Sequence, residues 1–394
     1  MDRFGEKVIC NPKVKLKKQE VYPLIDIDKI QPQFKTVKNG EEVEYTGQSC
    51  SKFQDHDILF ARITPCLENG KVAIASTNGQ DGVGSTELFV FRGIHGITNT
   101  DYVYYLLCTS YMRQLASNSM TGASGRQRAD LTFIKKIKWQ FPEIEKQERI
   151  AQILSQYDLL IEINNKRIKA LEQIAENLYK EWFVRFRFPG HETAEFENGI
   201  PKGWKYIRTD RVIDFNPTIK SNNQSDFTII PMEALSTTSM VLDSSCFVKQ
   251  KTITGKRSQN GDVLFAKITP CLENGKTGFV MGLVEGEVAG GSTEFIVLRS
   301  KALTPHYVYC IARSYYFRQT AILSMNGADG RQRVDESKLK STKVFQPTEL
   351  VLNSFERVVS PIFDLVYKLT QKNKVLIKQR DLLLPRLMSG KLEV

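Results

Sequence analysis

Fifteen consecutive residues of this chain occur twice. Asp57–Lys71 reads DILFARITPCLENGK and Asp262–Lys276 reads DVLFAKITPCLENGK, identical at 13 of 15 positions at an offset of 205. The two changes, Ile58 to Val263 and Arg62 to Lys267, keep shape or charge. A fold that suits one half must therefore suit the other. The runs DILFAR and DVLFAK alternate like short strands, and PCLENGK carries the Pro, Asn and Gly of a tight turn. Further copies keep the order. Gly84–Arg92 (GSTELFVFR) matches Gly291–Arg299 (GSTEFIVLR) at an offset of 207, and Met120–Asp130 (MTGASGRQRAD) matches Met325–Asp335 (MNGADGRQRVD) at 8 of 11 positions. Asn11-Pro12 and Asn216-Pro217 hold the same offset near the start of each half, and Tyr-rich helical patterns fill Asp101–Leu115 and Pro305–Leu323. By contrast, Gln31–Gln54 and Ser236–Gln259 share nothing visible.

Each half runs into a long helix. No Gly or Pro stands between Glu143 and Val184, and apolar residues recur there at three- and four-residue steps, a period near 3.5 that marks a helix pairing with a partner. The partner lies in the same chain. Adding 205 to Ile150, Tyr157, Asn164, Leu171 and Leu178 gives Phe355, Ile362, Leu369, Leu376 and Leu383, the seam of a second helical run. A buried amide such as Asn164 on a seam fixes register. The expected fold is mixed α/β: two similar globular α/β domains separated by two long helices that form an antiparallel intrachain coiled coil with pseudo-two-fold symmetry. Residues 1–142 form the first domain and 143–188 the central helix. Residues 189–347 form a Gly- and Pro-rich linker (Pro189–Trp204) and the second domain, and 348–394 the C-terminal helix. Pro361 is expected to delay the start of that helix or kink it.

Composition narrows the chemistry. A formal net charge of +11 on 394 residues favours a polyanionic partner. No apolar run reaches the ~18 residues a membrane span requires, so a cytoplasmic protein without a membrane partner is expected. Seven cysteines form no CxxC and four histidines stand apart, so no metal site and no catalytic residues are expected. Gly275-Lys276-Thr277 does not extend to a phosphate-binding loop, because Pro270 stands where that loop needs Gly. The duplicated residues are mostly Gly, Arg, Lys, Asn and Gln, which bind anions and base edges. The candidate DNA contacts are Arg126, Gln127 and Arg128 with Arg331, Gln332 and Arg333, joined by Arg62, Lys71, Lys267 and Lys276. The alternative for the arginines is pairing with Asp130 and Asp335. Identical loops in both halves suit a contact common to both, such as phosphate, better than base readout.

The paired ITPCLENGK, GSTE and GRQR segments, LYKEWFVRF at Leu178–Phe186 and LLLPRLMSGKL at Leu382–Leu392 resemble the DNA specificity subunit of type I restriction-modification enzymes over Val8–Leu392. The resemblance implies two target recognition domains, each reading half of a split, asymmetric double-stranded DNA site, spaced by the coiled coil. It implies docking of two methyltransferase subunits and further assembly with restriction subunits; the large apolar side chains at Leu178–Phe186, with Trp182 and Phe183, and at Leu382–Met388 exceed what one seam can bury and are expected to meet the methyltransferase subunits in part. S-adenosylmethionine, ATP and Mg are expected on those partners, and no cofactor on this non-catalytic chain. Two alternatives are a specificity subunit for a fused nuclease-methyltransferase partner and a stand-alone DNA-binding regulator.

Overall fold

The computed structural model describes residues 1–394 apart from Gln33, Asn39, residues 123–125, residues 221–225 and Asp329. Parts of both Gly-rich loops and of the stretch Gln31–Gln54 therefore lie outside the described residues. The chain divides into two compact units, Met1–Ile163 with Asn373–Val394, and Asn164–Lys372. Both are mixed α/β, and their sheets repeat.

In the first unit the main sheet has the order Val8–Cys10, Leu88–Gly93, Ile58–Ala61, Val72–Ser76, Thr36–Lys38. The second unit repeats its first four positions with Ile213–Phe215, Phe295–Ser300, Val263–Ala266 and Thr277–Phe279. Register is kept as well: Val90 lies opposite Leu59, and Val297 opposite Leu264. Every residue of Ile58–Ala61 and Val263–Ala266 is buried, because both sheet faces are covered. Successive side chains of a strand point to opposite faces, so Ile58 and Phe60 enter one core while Leu59 and Ala61 enter another. In the second unit Val263 and Phe265 are likewise separated from Leu264. Each unit adds a smaller sheet joined by a parallel pair, Leu24 opposite Val83 and Ile229 opposite Gly290.

The repeated polar residues fasten these sheets. Asn11 and Asn216 sit at φ 49° and 50°, in the left-handed region that Asn tolerates. Their side chains accept from Val90 N (2.9 Å) and Val297 N (3.1 Å). Asp57 and Asp262, both 1% exposed, each take a two-point bond from an arginine of the GSTE-containing strand, Arg92 at 2.5 and 2.7 Å and Arg299 at 2.7 and 2.7 Å. Burial nevertheless pushes the Asp262 carboxyl upward.

The central helix spans Ile144–Tyr179 and ends in a wider π turn, Lys180–Val184; the C-terminal helix spans Glu349–Met388. Pro361 neither delays nor ends the latter, which loses one backbone bond there and continues. Each unit contains one stretch of each helix, and in both the stretches run antiparallel. In the first, Ile150 and Leu154 share a core with Leu387 and Met388, while Asp158, one turn later, meets Arg380, two turns earlier. In the second, Trp182 and Phe183 pack on Phe355 at 5.6 and 4.8 Å. Ile150, Asn164, Phe355, Leu369 and Leu376 are buried as the seam requires. Tyr157, Leu171, Leu178, Ile362 and Leu383 are only half-buried. In place of Ile362 it is Phe363 that is fully enclosed. A helix of 3.6 residues per turn drifts off a strict heptad, and the buried line shifts by one residue.

The Arg–Asp pairs yield a first prediction. Arg299→Ala leaves the Asp262 carboxylate buried without its cation and should cost the second unit about 3–5 kcal/mol. A urea titration should show that unit melting at lower denaturant, whereas Asp262→Ala combined with Arg299→Leu should recover much of the loss.

Candidate nucleic-acid interface

The GRQR loops are anchored identically in both units. Thr121 and Arg128 exchange backbone bonds at 3.0 and 3.0 Å, and Asn326 and Arg333 at 2.9 and 2.9 Å. Between them Gly122 and Gly327 hold φ of 121° and 126°, and a Cβ on either would lie 3.3 Å from the carbonyl of Arg126 or Arg331, so glycine is needed there. The following residue is clamped to the ENGK segment. Thr64 N donates to Gln127 O (3.0 Å) and Gln127 N to the Thr64 hydroxyl (3.1 Å), repeated by Thr269 and Gln332 at 3.1 and 3.2 Å.

Arg128 and Arg333 do not pair with Asp130 and Asp335. Those aspartates cap the helices Leu131–Lys136 and Glu336–Ser341, accepting from Thr132 N (2.7 Å) and Ser337 N (2.9 Å). The arginines instead grip the glutamates of the GSTE motifs. Arg128 Nε lies 2.9 Å from Glu87 Oε2, and Arg333 Nε 3.0 Å from Glu294 Oε2, with a second nitrogen of each on the other oxygen. The Arg128 hydrogen bond holds the Glu87 carboxyl below its ordinary range, and Arg333 does the same for Glu294. Residue by residue, the GSTE glutamate was visible in the sequence and gave no sign of its partner, since 41 residues separate Glu87 from Arg128.

The remaining sequence-derived candidates divide. Arg126 and Arg331 are exposed and have no carboxylate partner among the described residues, while Gln127 and Gln332 are half-buried. Arg62 stacks on the Phe89 ring (5.0 Å) and stands 3.9 Å from Glu87; Lys267 stands 3.9 Å from Glu336. Lys71 and Lys276 reach inward to the carbonyls of Ile27 (2.9 Å) and Met232 (3.1 Å). Each unit thus ties its ENGK turn to the segment just before its dissimilar stretch. Trp182 and Phe183, expected at a partner surface, are 7% and 1% exposed and belong to the core of the second unit. They fill the space where the π turn meets Phe355, Tyr307 and Trp204.

The central helix holds the dissimilar stretches. In the first unit Lys35 donates to Ser155 Oγ at 2.7 Å and pairs with Asp101 at 2.9 Å. In the second, Glu172 accepts from Met240 N (2.7 Å) and from the Ser239 hydroxyl (3.0 Å). Different side chains perform one task, which is why no repeat revealed them.

Among the described residues, no helix is long and apolar enough to cross a membrane. The family model described as "Type I restriction modification DNA specificity domain" matches residues 6–173. The MjaIX specificity subunit of a type I restriction enzyme from Methanocaldococcus jannaschii is 25% identical over 308 residues, covering 75% of this chain and 69% of that protein. The EcoAI specificity subunit from Escherichia coli is 26% identical over 257 residues, 62% of this chain and 43% of its own length. The crystal structure of a type I restriction-modification S subunit from M. genitalium superposes with a TM-score of 0.56 at 12% identity, covering 98% of this chain and 95% of that one, and shares the fold. With two α/β units built on one plan and joined to long helices, the chain is similar to the specificity subunits of type I restriction-modification systems, and its residues 6–173 match their DNA specificity domain.

Proposed function

We propose that the chain is the non-catalytic, sequence-reading subunit of a restriction-modification complex, each unit reading one half of a bipartite, asymmetric double-stranded DNA site in the cytoplasm. One observation carries this reading: two identical loop clamps present an exposed arginine, Arg126 or Arg331, while the stretches mounted beside them differ. A shared clamp suits the shared part of DNA, its phosphates; the dissimilar stretches suit the part that varies, its bases. Arg128 and Arg333, satisfied by their glutamates, hold the loops in shape, and Arg126 and Arg331 make the contacts.

In this reading two methyltransferase subunits dock on the long helices and direct adenine methylation, with restriction subunits completing the nuclease. S-adenosylmethionine, ATP and Mg belong to those partners. The exposed apolar side chains of the helices support a docking role: Leu159, Leu160, Ile163, Val375 and Leu382 in the first unit, and Ile174, Val358 and Leu365 in the second.

Three outcomes test the proposal. Arg126→Ala and Arg331→Ala should each weaken binding to every sequence variant alike and lower the salt slope by roughly one; unchanged binding at all salt concentrations would remove these residues from the interface. Leu160→Glu and Leu382→Glu should reduce capture of a methyltransferase subunit in a pull-down while leaving thermal unfolding of the chain unchanged. Glu87→Gln should release the first loop, seen as faster amide exchange around Gln127 in the intact chain. Acid should do the same. Because the Glu87 carboxyl is held low by Arg128, the anchor is complete above the ordinary glutamate value of about 4.3. It is lost as pH falls through the depressed value.

A further inference from the structure

In the first unit a polar group sits where the seam should be apolar. Asp158 of the central helix, 7% exposed, accepts from Arg380 of the C-terminal helix at 2.5 Å and from the Tyr105 hydroxyl. Burial acts to lower the Arg380 pKa, but the charge and hydrogen bond of Asp158, together with those of Asp381, outweigh it and the guanidinium is held firmly protonated. Burial, then the Asp158 charge, push the Tyr105 phenol upward, so it stays a donor. The offset of 205 places Phe363 at the position of Asp158, Cys310 at that of Tyr105 and, counted backward, Ala175 at that of Arg380. All three are buried in the second unit's core. Phe363 packs edge-on against Phe279 (5.2 Å) and Tyr309 (5.3 Å). One repeat therefore uses a charged pair where the other uses a large and a small apolar residue.

We propose that Asp158 and Arg380 confine the long helices to central-with-C-terminal pairing and exclude pairing of either helix with its own copy in a second chain. The apolar residues cannot make that choice, since Ile150, Leu171 and Leu178 repeat as Phe355, Leu376 and Leu383. The polar pair does. If two central helices paired antiparallel, Asp158 would face Ala175 at both crossings, leaving two carboxylates buried without a cation. If two C-terminal helices paired, Arg380 would lose Asp158, keep only the exposed Asp381 of its own helix (2.9 Å) and face Phe363 in an overfilled site. A buried charge stripped of its partner lowers an association constant by on the order of a hundredfold or more. Polar residues at single seam positions select partners in coiled coils in the same way. The inference rests on packing alone and is independent of DNA recognition.

The test uses the full chain with a photo-crosslinking residue at Ile161, refolded from urea at increasing protein concentration. Wild type should crosslink only within one chain. Asp158→Phe with Arg380→Ala gives the first unit the apolar pair of the second; it should fold and raise the dimerisation constant about a hundredfold, with crosslinks joining central helix to central helix. Asp158→Arg with Arg380→Asp keeps complementary charges, so it should stay monomeric and unfold at higher denaturant than either single change. A doubly apolar variant as monomeric as wild type would overturn the proposal, as would central-to-central crosslinks in wild type. If the apolar variant does not fold, the charge swap decides: stability no better than its single changes would equally overturn it.

Discussion

The structure depends on a packing debt that neither half of the sequence can settle alone. The sheets of the first unit are made from residues before Trp139, yet the core beneath them is closed by Leu387 and Met388. The second unit, whose sheets begin at Phe196, needs Trp182 and Phe183 from the end of the central helix. Burying a Leu, Met or Phe side chain is worth about 1.5–3 kcal/mol, so these few residues match a large fraction of the stability of a domain. The helices are consequently parts of both cores and not mere connectors. Their rigidity also supports the dissimilar stretches, through Lys35 and Ser155 in one unit and Glu172 with Ser239 in the other.

Much of this was legible in the residues because duplication filters them. A position that survives in both copies has to serve a role common to both units, and Asn11/Asn216, Asp57/Asp262, Arg92/Arg299 and Thr64/Thr269 all prove to be fasteners of the same sheets and loops. The same filter was silent on the partners of Arg128 and Arg333. Repetition showed that these arginines matter without showing that their partners were Glu87 and Glu294, because ion pairing across some 40 residues leaves no local pattern. Periodicity found the two helices and their direction, then lost register by one residue at Phe363, since a straight helix departs from a strict heptad. What differs between the copies stayed invisible: Asp158 and Arg380 read as ordinary charged residues until the fold enclosed them.

That division has a physical meaning. The clamp of GSTE, ENGK and GRQR is built from backbone bonds, one glycine and one ion pair, all of which are indifferent to the side chains mounted beside it. Such a frame leaves the exposed residues of Gln31–Gln54 and Ser236–Gln259 free to change, while Val37, Phe53, Met240 and Leu242 of the same stretches are held in the cores. In the proposed reading, the exposed side chains of these stretches carry recognition and their buried ones stability, so recognition can change without refolding the domain.

The antiparallel closure of the first unit also sets an order of events during synthesis. Its strands are translated first, but the core that holds Ile150 and Leu154 lacks Leu387 and Met388 until residues 373–394 have been made, after every residue of the second unit. At about 5–20 residues per second, the 209 residues of Asn164–Lys372 take roughly 10–40 s to translate. For that interval the first unit leaves the ribosome with an open apolar groove along its helix, and the chain that will fill it does not yet exist.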